Sequence, residues 1–150
     1  MNSVLARRCW SVAVVIPTMF MRPMAASITV SGSPGNLVVN TAVAGSPPTS
    51  AIDATTTYTI VATGATLRGI TGKLNTAPPA GVTITVTLAA CGGGTSYGPI
   101  VLTTVAQNLV HGISTTSCTA AITYQVDATA AAGVVALQSK TVTLNEIALP

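Results

Sequence analysis

The sequence predicts an all-β protein, in which about eight antiparallel strands form a sandwich of two sheets. Three observations lead to this fold class. β-Branched residues alternate with a period of two, which is typical of strands that have one face in a core and one in water. Turn residues interrupt this alternation at short intervals. No helical pattern reaches the length that a βαβ unit needs, which excludes a parallel α/β fold.

The clearest strands show apolar residues that alternate with threonine or another polar residue. They cover residues 57–62, 82–88, 122–127 and 141–145. Shorter candidate strands cover residues 28–30, 37–43, 66–74, 100–104 and 108–113. Gly69 and Gly72 lie inside one of these strands and predict a bulge or bend, because glycine weakens a strand interior and often marks irregular pairing.

The segments between the strands are rich in turn-forming residues. Gly, Pro and Ser cluster at residues 32–35 and 45–48, Pro and Gly at residues 77–81, and three glycines occupy residues 92–94. Residues 128–132 are expected to form either one helical turn, capped by Asp127, or a loop that crosses between the sheets.

The first 26 residues have the three-part pattern of a secretory signal peptide. Arg7, Arg8 and Arg22 flank an apolar run, and small residues at 25–27 provide a cleavage site. The apolar run is about a dozen residues long, whereas a membrane-spanning helix needs roughly 20; an uncleaved anchor is the alternative. We expect a cleaved signal peptide at 1–26, a single domain at 27–150, and a secreted or cell-surface location without a membrane span.

The predicted mature domain has balanced charge. The whole chain has a formal net charge of +3 and a pI of about 9.0, but the basic surplus lies in the predicted signal peptide. Nucleic-acid or anionic-membrane binding needs a clustered basic face, so we expect neither. Residues 27–150 keep three basic and three acidic side chains: Arg68, Lys73, Lys140, Asp53, Asp127 and Glu146.

Cys91 and Cys118 remain as an even pair once Cys9 is assigned to the signal peptide. In an exported protein such a pair predicts a disulfide bond. Each cysteine lies at the end of a predicted strand beside a loop, where the two side chains can meet. Two free buried thiols are the alternative.

The chain offers few residues for catalysis or metal binding. His111 is the sole histidine, and a triad of His111, Ser114 and one acid has no supporting spacing or nucleophile motif. The scattered carboxylates provide neither the paired acids of a glycosidase nor the oxygen-rich loop that calcium requires, and the zinc ligands are too few. We expect no enzyme activity and no catalytic, cofactor-binding or metal-binding residues.

The loop at residues 92–98 contains one residue suited to partner binding. Its glycine run lacks the lysine and hydroxyl ending of a phosphate-binding loop. Tyr97 is a candidate contact for a sugar or protein partner, because an aromatic on a polar loop presents a large contact surface; alternatively it folds back over the end of the sandwich. Threonine makes up about a fifth of residues 27–150, but the fixed repeat typical of ice-binding arrays is missing.

Three short motifs in the C-terminal third carry a family resemblance: YQVDA at 124–128, AAGV at 131–134 and KTVTL at 140–144. Together they resemble the last two strands of bacterial immunoglobulin-like domains. The resemblance implies an immunoglobulin-like sandwich in a surface setting, and it assigns no functional residue. The antibody-type arrangement has a core tryptophan and a cysteine in the strand that holds Tyr124; we expect neither in residues 27–150, so a different disulfide would tie a strand end to a neighbouring loop.

The low charge of residues 27–150 favours self-association, because few charged side chains protect the surface and sandwich edges readily pair with other strands. Ile28 and Val30 lie in a short strand followed by a turn, and this strand is a candidate for exchange into a neighbour's sheet; alternatively it is the first strand of its own sandwich. We expect an exported structural subunit of a bacterial cell-surface assembly, pilin- or coat-like, that binds itself or another surface protein. The second hypothesis is a monomeric secreted module that recognises a glycan or a protein through its end loops.

Overall fold

Two antiparallel sheets, one of five strands and one of four, make up the protein. This computed structural model describes residues 26–39, 48–64, 66–132 and 138–150. The all-β, two-sheet fold class predicted from the alternation is therefore confirmed. The strands are β1 (Ala26–Ser31), β2 (Ala51–Ala62), β3 (Arg68–Leu74), β4 (Val82–Leu88), β5 (Thr95–Ser96), β6 (Ile100–Val101), β7 (Gln107–Ile113), β8 (Ser117–Ala128) and β9 (Val142–Ala148).

The five-stranded sheet has the order β1-β2-β8-β4-β6. Its two long strands, β2 and β8, are each 12 residues long and pair along almost their whole length. β1 pairs with the C-terminal half of β2, whereas β4 pairs with the C-terminal half of β8, so the sheet has a staggered outline. An irregularity between Asp53 and Thr56 shifts the register of β2. It therefore changes which residues of β2 face the core.

The four-stranded sheet has the order β5-β7-β3-β9. The pairing of β3 with β7 is irregular on both sides of Ile70, which confirms the bulge predicted from Gly69 and Gly72. A Cβ atom at Gly72 would lie 2.6 Å from Cδ1 of Leu109 and 3.2 Å from Cδ2 of Leu144. Glycine is therefore needed at this position because neighbouring leucines occupy the space of a side chain.

The inner faces of both sheets supply the core. Alternate residues of the predicted strands are buried, as a two-sided strand requires. Fully burying one such aliphatic side chain stabilises the fold by about 1.5–3 kcal/mol relative to leaving it exposed. The buried hydrophobic residues are Tyr58, Ile60, Ala62, Ile70, Leu74, Val86, Leu88, Leu102, Leu109, Val110, Ile113, Ile122 and Tyr124.

Several boundaries differ from the sequence prediction. The strand expected at 66–74 begins at Arg68, and the one expected at 100–104 ends at Val101. Leu102 lies beyond the end of β6, although its N–H still donates to the carbonyl of Ile84 in β4. Residues 37–39 are not in a strand, and residues 40–43 of that prediction lie outside the described residues. The helical alternative for 128–132 appears as a 3₁₀ turn at Ala130–Ala132.

Most of the predicted signal peptide lies outside the described residues. Of residues 1–26, only Ala26 is described, and it is the first residue of β1, opposite Ala62 of β2. Residues 45–47 also lie outside the described residues, so only Pro48 of the turn predicted at 45–48 is described.

Candidate functional site

β1 forms one edge of the five-stranded sheet. It pairs with β2 in an unbroken antiparallel register from Ala26 opposite Ala62 to Ser31 opposite Thr57. Within the described residues no strand pairs with its other side. Ile28 and Val30, the two residues singled out from the sequence, lie opposite the buried Ile60 and Tyr58. They therefore occupy the core-facing side of β1.

Val30 is only half covered although it lies on the core-facing side. Its exposed fraction is 47%, whereas its cross-strand neighbour Tyr58 is fully buried. Ile28, two residues earlier, is partly buried and packs against the core. The exposed side of Val30 lies next to the point where β1 ends and Gly32 turns the chain with a φ of +84°.

A carboxylate holds the start of the segment after β1. The N–H of Gly35 donates to Oδ2 of Asp53 at 3.4 Å, and the N–H and hydroxyl of Thr55 both donate to Oδ1 of the same residue at 3.0 and 2.9 Å. Donation from Thr55 lowers the pKa of Asp53, because these hydrogen bonds stabilise the charged carboxylate. Asp53 therefore contributes to the connection between β1 and β2.

Cys91 and Cys118 form the predicted disulfide, with Cα atoms 5.8 Å apart. Cys91 lies just after β4, and Cys118 lies in β8 opposite Ile60 of β2. The bond ties the loop that leads to β5 to the start of β8. β8 also contains Tyr124, so the expectation that no cysteine lies in the strand of Tyr124 is wrong.

The glycines after Cys91 form a bonded turn. The N–H of Gly94 donates to the carbonyl of Cys91 at 2.9 Å. Both the N–H and the hydroxyl of Ser114 donate to the carbonyl of Gly92. Gly92 and Gly93 have φ values of +57° and +80°, which favour glycine. The N–H and hydroxyl of Ser114 thus hold this turn in place.

Tyr97 lies against His111, with ring centroids 4.8 Å apart and planes inclined by 46°. The tyrosine is 48% exposed, and its N–H donates to the carbonyl of Leu109 at 3.0 Å. Gly98 follows with a φ of +79° and open space around it. His111 lies in β7, within the strand predicted at residues 108–113, and is opposite Thr95 of β5. The two rings form an exposed aromatic pair.

The three acids lie in separate environments. Glu146 Oε1 is 3.1 Å from Nε of the buried Arg68, and this guanidinium also donates to the carbonyls of Gly64 and Thr66. Asp127 accepts hydrogen bonds from Ser50 and Gln125. A search of the described residues for three or more His, Cys, Asp or Glu side chains placed to hold a metal ion finds none.

Comparison with protein-family models, with curated proteins and with solved structures finds no match for this chain. Along the described part of the chain, no helix is long and apolar enough to cross a membrane.

Proposed function

We propose that this protein is an exported, non-enzymatic structural subunit of a bacterial cell-surface assembly, pilin- or coat-like, whose copies are joined by exchange of β1. The observation that carries the proposal is the incomplete burial of β1. It is an edge strand whose core-facing Val30 remains 47% exposed.

Exchange of β1 is geometrically accessible. The connection from Ser31 to Ala51 contains 19 residues, and an extended chain of this length reaches about 60 Å at roughly 3.3 Å per residue. This exceeds the width of the sandwich, so β1 of one copy can reach the β2 edge of another. The pairing with β2 would be the same in both arrangements, which makes exchange a low-cost route to assembly.

A reversible covalent lock tests the proposal. Ser31 and Thr57 are direct antiparallel partners, so the double variant Ser31→Cys, Thr57→Cys can tie β1 to its own sheet. We expect the oxidised variant to form no polymers, and reduction to restore polymer formation as measured by light scattering and negative-stain microscopy. The unsubstituted protein with and without reductant controls for loss of the Cys91–Cys118 bond. Assembly of the oxidised variant at the unsubstituted rate would rule out strand exchange.

Deletion of residues 27–31 provides a second test. The truncated protein loses β1 and should no longer assemble, while the remaining strands keep the paired core of the sandwich. Circular dichroism checks that the β structure persists. Polymers formed by the truncated protein would contradict the proposal in the same way as assembly of the locked one.

The second candidate is a monomeric secreted module that binds a glycan or a protein. The exposed pair of Tyr97 and His111 favours it, because aromatic rings beside an open loop suit stacking contacts. Tyr97→Ala should leave the melting temperature unchanged and weaken binding in glycan and protein screens, with Tyr97→Phe as the control that keeps the ring. A monomer that loses a ligand in Tyr97→Ala but not in Tyr97→Phe would favour this module over the structural subunit.

A further inference from the structure

The outward side of the five-stranded sheet forms a continuous surface, which we call the outer face. It consists of the residues of β1, β2, β8, β4 and β6 that alternate with the buried ones. One row runs across it from Thr29 through Thr59 to Thr119, and a second runs from Ile52 through Gln125 and Thr85 to Val101. The outer face therefore extends across all five strands.

Charge is almost absent from this sheet. Its five strands contain two ionisable acids, Asp53 and Asp127, and no lysine, arginine or histidine. Asp53 shares a face with the core residues, since it lies opposite Tyr124. Asp127, the one charge on the outer face, is engaged by Ser50 and Gln125. The surface thus offers no attraction for a strongly charged partner.

Two features of the outer face lower the cost of removing water from it. The hydroxyls of Thr59 and Thr119 bond to each other at 2.8 Å, so they keep a hydrogen bond when water is removed. Ile52, Val61 and Val101 are 60%, 52% and 49% exposed, and their apolar area favours removal from water.

The estimated area of the outer face is close to that of the smallest specific protein–protein interfaces. Strands of 12 residues extend about 40 Å at 3.3 Å per residue, and a staggered width of three to four strands adds about 15 Å. The face therefore covers about 600 Å² per copy, or roughly 1,200 Å² for two copies, the smallest total area found in stable protein interfaces.

We propose that the outer face packs against the outer face of a second copy of this chain. Two identical, nearly uncharged surfaces meet without the repulsion that two like-charged surfaces would have, and sheets stack face to face about 10 Å apart in sandwiches. This inference rests on the proposed self-association and adds a second interface to it. Strand exchange would join copies through the edge of the sheet, whereas the outer face joins them through its surface.

A pair of matched variants tests this interface in the disulfide-locked background, where strand exchange is blocked. Thr119→Glu places a carboxylate on the outer face, and Thr143→Glu places the same charge at an exposed position of β9, opposite Lys73. Sedimentation equilibrium across a range of concentrations measures the dimer dissociation constant. We expect Thr119→Glu to raise this constant at least tenfold, because a buried, unpaired carboxylate is costly, and Thr143→Glu to leave it within twofold.

The outcomes separate the two proposals. Equal dissociation constants for the two variants, or a locked protein that stays monomeric at roughly 1 mM, would overturn the outer-face interface, since every association above about 4 kcal/mol is detectable there. The unlocked protein would still assemble if strand exchange is correct. Absence of assembly in the unlocked protein would instead contradict the structural-subunit function itself. Circular dichroism and thermal unfolding verify that both variants are folded.

Discussion

The two sheets share one core but differ in their outward surfaces. The five-stranded sheet is long, uncharged on all but one outward residue, and rich in outward threonines, of which Thr59 and Thr119 bond to each other. The four-stranded sheet carries Lys73 opposite Thr143, and His111 beside Tyr97, and its central pairing is interrupted near Ile70. The first surface is broad and almost uncharged, whereas the second is smaller and carries polar and aromatic groups.

This difference shows how a sandwich can separate stability from recognition. The inward residues of both sheets are constrained by the shared core, since each must be apolar and of the right volume. The outward residues carry no such constraint, and one sheet can become uncharged while the other keeps polar and aromatic groups. Variants that alter one sheet at a time therefore test whether the two sheets differ in this way.

The largest effect is expected from removal of the disulfide, which ties the loop between β4 and β5 to β8. Replacing Cys91 and Cys118 by alanine opens a loop of 27 residues and should lower the free energy of unfolding by about 3–4 kcal/mol on the chain-entropy model. Urea denaturation of the double variant measures this loss. A change below about 1 kcal/mol would mean that the glycine turn and its bonds to Ser114 hold the loop without the bridge.

The next effect concerns Tyr58 of the five-stranded sheet. Its hydroxyl donates to the carbonyl of Ala89 at 2.6 Å, and burial raises its pKa to about 12 from 10.0. The folded state keeps the neutral phenol, so this stability is fully present below pH 10 and is lost as pH rises from 10 to 12. The expected loss is about 2–3 kcal/mol.

Comparison with Tyr58→Phe isolates this pH dependence. The variant should be less stable than the unsubstituted protein at pH 7 by about 1 kcal/mol, because the carbonyl of Ala89 loses its donor. Between pH 10 and 12 its unfolding free energy should fall less steeply, leaving the smaller contribution of Tyr124, whose pKa is also raised by burial and by the charge of Asp53. Identical slopes for both proteins would contradict the assignment to Tyr58.

The sequence predicted those features that depend on local pattern. Alternation revealed the strands and the inward residues, and the count of cysteines revealed the bond between Cys91 and Cys118. The pairing of Tyr97 with His111 could not be predicted, because it depends on β5, a strand of two residues whose register with β7 has no pattern in the sequence. The sequence also could not predict that Ile52 faces outward, because the irregularity between Asp53 and Thr56 reverses the alternation of inward and outward residues along β2.

A smaller effect is expected from Gly72→Ala in the four-stranded sheet. The added methyl group would meet Cδ1 of the buried Leu109, and overpacking of this kind typically costs about 1–3 kcal/mol. Thermal unfolding measures the loss, with Gly35→Ala as the control because its nearest neighbour, Oδ2 of Asp53, is 3.9 Å from the added atom. Adding Leu109→Val should recover part of the loss, and strictly additive effects would argue against the contact.

The smallest effect is expected at Asp53, which is exposed and acts through its bonds to Thr55 and Gly35. Because its pKa is lowered from 3.8 in the folded protein, its stabilising contribution is present above that value and is lost as pH falls through the lower folded value. Asp53→Asn should therefore have a slightly lower melting temperature than the unsubstituted protein at pH 6, and the two should converge at about pH 2. A difference that persists at pH 2 would assign the effect to the shape of the side chain instead of its charge. The hydrogen bond from Gly35 to Asp53 would then hold the segment that follows β1 without needing the charge of the carboxylate.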